Sequence, residues 1–363
     1  MSAFIHFERK GCETVGFEKS MWKVTIDGYR ILLGAHIDDF VLGTNRQVLD
    51  AFRERLLDTC DGTYEGPLEH YLGCEIAHDL VAGTTQLSQT HYVEEFFRTF
   101  GFCENLPRVT PMKPNTQLSK DDCGPSPKPD FHKRYRDIVG SLGYLVTISR
   151  PDLAWSYSES SKSVQFLGKS HMEAAEHVLR NLRATWNETI THTRRSRRVN
   201  ELWGWVDADW VDADWAGDTD TRRSHTGYIL MINGGPISWK SRRQDNVSLS
   251  TSEAEFVAAS QAAQEVVYVR ETLRDFGYSQ STATDIFEDN LACIAMSENL
   301  VRRKFSRHID IRVYSVREFV KASIVKLISL RTHKMVADAL TKSLPLPAFI
   351  AHRKLMLGQV PFL

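Results

Sequence analysis

The sequence has no C-x-x-C pair, and its six cysteines, at 12, 60, 74, 103, 123 and 293, are scattered along 363 residues. That excludes the usual spacing of zinc ligands and a disulfide framework, and it suits a reducing compartment. No apolar run approaches the ~20 residues needed to span a bilayer. The opening MSAFIHFERK lacks the charged-then-apolar layout of a signal peptide. The expectation is an intracellular, soluble protein, cytoplasmic or nuclear, with no membrane partner, so the sequons at Asn187 and Asn246 carry no weight. Neither sign of charge is in excess. Lys and Arg number 45 and Asp and Glu 46, a net charge of −1, so contact with a polyanion must come from local patches. Such runs exist at Arg194, Arg195, Arg197 and Arg198; at Lys240, Arg242 and Arg243; and at Arg302, Arg303, Lys304 and Arg307. Each alone reads first as a solvated surface run.

What is present is ordinary globular material, 42% apolar and 25% charged, long enough for two or three compact units. YRILLGAHIDDFVLGT (29–44) reads as two strands with Asp38 and Asp39 at the turn. Helix periodicity follows in QVLDAFRERLL (47–57) and in THYVEEFFRTFG (90–101), with Thr90 as N-cap and Gly101 as stop. A Pro-rich polar linker runs from 110 to 130, and a helical region from about 135 to 183 is broken at Arg150-Pro151. The last unit reads strand LWGWV, strand pair GYILMI and PISWK, and a long helix from Glu253. Strand TDIFED, further helix, strand SIVKLISL and a closing helix through MVADALTK complete it. Strands on both sides of a long helix point to a mixed α/β layer fold. The one internal repeat is VDADW, written twice in VDADWVDADWAGD (Val206–Asp218).

Acidic residues stand at element ends throughout this last unit. Asp207 and Asp212 lie in the doubled motif, Glu253 and Glu255 open the long helix, Asp289 ends a strand, and Asp338 lies in the closing helix. Converging carboxylates suit hard cations such as Mg²⁺. Two such ions, about 3.5–4 Å apart, can activate a water and stabilise a leaving oxygen. Each residue also has a plainer reading. Ser252–Glu255 and Ser250–Glu253 both have capping-box spacing, Asp289 beside Asn290 suits a strand-to-helix cap, and Asp338 suits a surface charge. Spacing alone leaves these open. His308 and His333 read first as packed or exposed histidines, and Trp203, Trp205, Trp210 and Trp215 as core or rim.

Wording and order go further. DADWAGDTDTRRSHTGYILMINGGPISWKSRRQDNVSLSTSEAEFVAASQAAQE, FEDNLACIAM, SRHIDIRVYSVRE and THKMVADALTKSLP resemble the ribonuclease H domain of copia-type LTR retrotransposon polyproteins, in family order over 200–358. HIDDFVLG, HYLGCEI, LSQTHYVEEFF, VTPM, YRDIVGSLGYL, SRPDLAW and HMEAAEHVLRNL are similar to the family's reverse transcriptase from about 17 to 190. The resemblance implies an α/β, ribonuclease H-like mixed sheet with helices at the C-terminus. A partial α+β palm and a helical thumb and connection precede it. The implied division is 1–109 palm remnant and start of thumb, 110–200 linker with thumb and connection, and 201–358 ribonuclease H.

The implied catalytic set is Asp212, Glu255, Asp289 and Asp338, holding Mg²⁺, with Mn²⁺ as an alternative. Asp207 is the rival to Asp212, because it follows LWGWV directly; the following hairpin favours Asp212. An odd, five-residue insertion inside the strand would flip its sidedness, so it must be absorbed as a loop or bulge. Asp38 and Asp39 match the family's paired polymerase metal ligands, although His36 replaces the usual Tyr, as Tyr314 replaces a second His near His308. No motif for the other palm aspartate precedes Asp38, so no polymerase activity is expected from this chain alone. The expected substrate is an RNA–DNA hybrid, with Lys240, Arg242 and Arg243 on phosphates and other parts of the polyprotein as further partners. A catalytically dead nucleic-acid-binding remnant and one part of a split reverse transcriptase are the rival readings.

Overall fold

The computed structural model describes residues 12–15, 18–36, 39–43, 46–58, 62–101, 106–114, 116, 118–123, 129–165, 167–210, 220–298 and 315–362. Internal contacts divide the chain into Met1–Glu69 with Val267–Ser281, and His70–Val266 with Thr282–Leu363. In the first unit β1 (Glu13–Val15), β2 (Glu18–Ile26), β3 (Tyr29–His36) and β4 (Asp39–Gly43) form an antiparallel meander. Helix Arg46–Leu57 sets Val48 and Phe52, four residues apart on one face, against the buried Ile31. The strand pair read around Asp38-Asp39 is there, with His36 paired to Asp39. Asp39 is exposed and Asp38 lies outside the described residues.

In the second unit β5 (His70–Tyr71), β6 (Cys74–Asp79), β7 (Thr84–Ser88) and β8 (Ile190–Thr193) form an antiparallel sheet in chain order. The helix that follows β7 is Thr90–Phe100, and Gly101 ends it in the left-handed region at φ 70°. Its N-cap position is Gln89, not Thr90, and the cap comes from a distant strand. Glu75 of β6 accepts the backbone N–H groups of Thr90 (2.8 Å) and His91 (2.9 Å) and the Ser88 hydroxyl (2.7 Å). A carboxylate at a helix N-terminus is favoured by the orphan donors and the dipole there.

The helical region breaks where Arg150-Pro151 predicts, into Pro129–Ile148, Ala154–Lys162 and, further on, Lys169–Ala184. Arg150 is fully buried at the break. Its guanidinium forks onto both Asp152 oxygens at 2.8 Å and donates to the Thr185 carbonyl (3.0 Å) and hydroxyl (2.8 Å). The motif SRPDLAW therefore stitches three helices together through one charge.

The main sheet runs β11-β10-β9-β12-β13, with β9 Trp203–Asp209, β10 His225–Ile232, β11 Gly235–Arg243, β12 Thr284–Glu288 and β13 Val325–Ser329. β9, β10 and β11 are antiparallel, whereas β12 runs parallel to both β9 and β13. This is the ribonuclease H-like mixed sheet that the sequence implies. Its core is continuous with the helices of 129–184: Trp239 donates its indole N–H to the Val146 carbonyl at 2.8 Å. Trp203 stacks on Phe362, with Trp205 and Phe287 set around the pair.

The closing helix expected through MVADALTK is instead a pair of 3₁₀ turns, Thr332–Lys334 and Val336–Leu340, with an α-helix only from Leu346 to Met356. All of Val336–Leu340 is buried. Such a segment has no solvent face on which a long amphipathic helix could lie. Gly227 of β10 makes room for it, since a Cβ there would meet Leu340 Cβ at 2.7 Å and Thr341 Cγ2 at 2.8 Å.

Candidate metal centre

β9 carries Trp203, Trp205, Asp207 and Asp209 on one face by strand alternation. Its ladder to β10 is unbroken, from Met231 opposite Trp203 to His225 opposite Asp209, and places Gly227 opposite Asp207. The tight approach at Gly227 brings Thr341 beside that strand, and its hydroxyl donates to Asp207 Oδ2. Asp207 is 3% exposed, an acid buried at the end of a core strand.

The long helix Thr251–Phe276 delivers the second acid. Of the two possible capping pairs, the one used is Ser250–Glu253: the Ser250 hydroxyl accepts the Glu253 N–H (3.3 Å), and Glu253 accepts the Leu249 N–H (3.0 Å). Glu255 is left without a capping duty and turns inward. A parallel division of labour operates after β12. Asn290 caps helix Leu291–Glu298 by accepting the Cys293 N–H at 3.0 Å, so the cap is not Asp289.

Asp207, Glu255 and Asp289 each offer one oxygen, and these atoms all lie within 4.8 Å of one another. Among the described residues this is the one cluster of three or more potential metal ligands. Burial, then the neighbouring Glu288, Asp207 and Asp289, push the Glu255 carboxyl well above its ordinary value. Glu288, fully buried and overlooked in the sequence, is pushed up in the same way by burial and by the charges of Asp207 and Asp289. Glu255 Oε2 and Glu288 Oε2 are buried with no hydrogen-bond partner. Crowded carboxylates with orphaned oxygens fit a hard divalent cation, which supplies the missing positive charge and takes oxygen ligands.

Asp338 sits at the rim of this group. Its carboxyl is pushed up to about 7, by burial first and then by the charge of Asp207, with Lys342 pulling the other way. Lys342 Nζ lies 2.8 Å from Asp338 Oδ1 and 3.8 Å from Asp207 Oδ2. Burial opposes the Lys342 charge, but Asp207 and Asp338 outweigh it and hold the ammonium above its ordinary value. Asp209, one alternation beyond Asp207, is pushed up to about 6 by burial.

The remaining candidates fall elsewhere. Asp212, Trp215, His308 and Tyr314 lie outside the described residues, as does Asp38. Asp39 belongs to no such cluster among the described residues. His333 is exposed, Trp203 and Trp205 are core, and the Trp210 indole donates to the Ser248 carbonyl at 3.2 Å. Arg242 and Arg243 line a cleft of about 360 Å³ with Lys162 and Arg223; Lys240 does not. Arg243, His225 and Asp209 are cross-strand partners in one row, so the cleft opens beside the acidic end of β9.

Sheet and acidic edge together define a ribonuclease H-like α/β domain. No family model matches the chain. It is 31% identical over 319 residues to the retrovirus-related Pol polyprotein from transposon TNT 1-94 of Nicotiana tabacum, covering 87% of this chain and 23% of that one. To the Pol polyprotein from transposon RE2 of Arabidopsis thaliana it is 28% identical, covering 93% of this chain and 23% of the relative. To the mitochondrial protein AtMg00810 of Arabidopsis thaliana it is 30% identical, covering 64% of this chain and 92% of the relative. The chain is similar to retrovirus-related transposon Pol polyproteins, and it spans less than a quarter of the length of the Pol polyproteins it matches. Among solved structures, LC11-RNase H1 matches 39% of this chain and 94% of its own at 12% identity and a TM-score of 0.30. The foamy viral protease-reverse transcriptase in complex with RNA/DNA hybrid matches 71% of this chain at 12% identity and a TM-score of 0.35.

Proposed function

We propose that the chain is a divalent-metal-dependent ribonuclease H that hydrolyses the RNA strand of RNA–DNA hybrids. The observation that carries this reading is the trio of oxygens from Asp207, Glu255 and Asp289 within 4.8 Å, drawn from a strand, a helix start and a second strand end. Asp207, Glu255 and Asp289 would hold Mg²⁺ or Mn²⁺, with Asp338 as the fourth acid. When bound, the ions supply charge stabilisation for the phosphodiester and a nucleophile at neutral pH. The protein's own part is to hold the carboxylates in a buried, rigid frame. Thr341 fixes the Asp207 carboxylate, the 3₁₀ turn fixes Asp338, and the capping pairs at Ser250–Glu253 and Asn290–Cys293 fix the two element starts.

Hybrid phosphates are assigned to Lys240, Arg242 and Arg243, with Lys162 and Arg223 extending the track along the cleft. RNA is distinguished from DNA by contacts to the 2′-hydroxyl. In the wider polyprotein the division would be palm remnant and start of thumb at 1–109, linker with helical thumb and connection at 110–200 and nuclease at 201–358, with other polyprotein parts as partners.

The test is cleavage of a labelled RNA–DNA hybrid by the purified chain with Mg²⁺. Expected is RNA-strand cleavage that is abolished by EDTA and by Glu255→Gln. Persistent activity in Glu255→Gln overturns the assignment, and no activity in any metal leaves the decayed, binding-only remnant as the better reading.

A further inference from the structure

Lys342 places a positive charge in the acidic centre itself. Its ammonium bridges Asp338, at 2.8 Å, and Asp207, at 3.8 Å, while Asp207 also belongs to the three-acid group with Glu255 and Asp289. The centre thus has two halves sharing one carboxylate. On the Glu255 side there are orphaned carboxylate oxygens, including the buried Glu255 Oε2. On the Asp338 side the counter-charge is already present and belongs to the protein, as an ion pair at 2.8 Å in which the buried Asp338 Oδ1 accepts no aligned hydrogen bond. The Lys342 backbone N–H bonds to the Asp338 carbonyl at 3.0 Å, one helical turn back, which keeps stem and acid adjacent. The side chain is nonetheless 36% exposed, so its flexible stem can carry the ammonium out to water.

A divalent ion on Asp338 would need oxygen contacts of about 2.0–2.1 Å, in the space where the ammonium now sits. Like charges a few ångströms apart in a poorly solvated site repel strongly, so ion and ammonium exclude one another. We propose that Lys342 occupies the second cation position of the metal-free chain: one divalent ion binds at Asp207, Glu255 and Asp289, and a second binds at Asp338 only by displacing the lysine. This rests on the acidic group being a metal centre. It makes Lys342 a positioning residue that sets the order and the relative affinity of the two ions.

The experiment is Mn²⁺ titration of the full, nucleic-acid-free chain, counting bound ions by electron paramagnetic resonance and calorimetry. The wild type is expected to bind one ion tightly and a second weakly. In Lys342→Met the second ion tightens by about tenfold or more, one decade of Kd. Lys342→Arg, which keeps the charge, behaves as wild type. Equal second-ion affinity in wild type and Lys342→Met overturns the inference while leaving the metal centre standing. No saturable Mn²⁺ binding in either overturns both. A measurement on the wild type alone guards against a variant that fails to fold, namely acylation of Lys342 by an amine reagent, mapped by peptide mass. Displacement speeds acylation at the Mn²⁺ concentrations that load the second ion, and an unchanged or slower rate overturns the proposal.

Discussion

At the residue scale, the acids of the candidate centre are distinguished by what their neighbours do. Glu253 and Asn290 take the helix-start hydrogen bonds, and Glu255 and Asp289, two residues and one residue away, are released for other work. Asp207→Asn, Glu255→Gln and Asp289→Asn should each cost hybrid cleavage more than the roughly 10–100-fold typical of losing a supporting partner of a metal ligand. Steady-state cleavage rates at fixed Mg²⁺ check this. Asp212→Asn should stay within about twofold of wild type, because Asp207 already fills the strand position in the ladder. A dead Asp212→Asn beside an active Asp207→Asn would return the role to the second copy of the repeat. Glu255, Asp289 and Asp338 were singled out in the sequence by the motif order of the resemblance, since spacing alone left a cap or a surface charge open for each. Glu288 was not, because a strand residue fully buried beside a candidate ligand has no signature in spacing. Lys342 and Thr341 escaped for another reason: their roles appear only once Gly227 lets the 3₁₀ turn close onto β9.

At the scale of elements, the doubled pentapeptide becomes tractable. Deleting either copy yields the same chain, with Val-Asp-Ala-Asp-Trp once after LWGW. The ladder of β9 already accounts for the copy beginning at Val206, up to Asp209. The single-copy variant should therefore retain cleavage and Mg²⁺ affinity within about threefold of the parent, read by the same assays. Cleavage that appears only in the single-copy form would mean the repeat had silenced the natural chain. The strand pair ending at Gly43, the five strands of the main sheet and most helices were readable from periodicity and turn residues, whereas β1, β2 and the sheet β5-β6-β7-β8 were not read. Two further differences have physical causes: the Thr90 helix is capped by Glu75 from another strand, and the segment at Asp338 is too buried to keep an amphipathic helix. The break at Arg150-Pro151 was legible, but its use as a buried fork was not. Arg150→Met strands Asp152, which is fully buried, so a loss of about 3–5 kcal/mol is expected in denaturant unfolding.

At the scale of the whole molecule, acidity and metal are coupled. The carboxyls of Glu255, Glu288 and Asp338 are all raised, Asp338 to about 7 from an ordinary 3.8. An acid raised on folding contributes stability that is complete below its ordinary value and is lost as pH climbs through its folded value. The metal-free protein should therefore lose stability between about pH 4 and pH 7 on account of these groups. Mg²⁺ competes with their protons, so the stabilisation it produces should be larger at pH 8 than at pH 6, about 2.7 kcal/mol at a hundredfold excess over Kd, and the rise in Tm should follow it. Thermal scans with EDTA and with Mg²⁺ across that range check the sign, and a gain that shrinks with rising pH would contradict it. The stacking of Phe362 on Trp203 carries a different consequence. The blade that presents Asp207 is pinned by a ring from the far end of the polypeptide. A chain clipped just ahead of that ring would keep every proposed ligand and still lose its rivet.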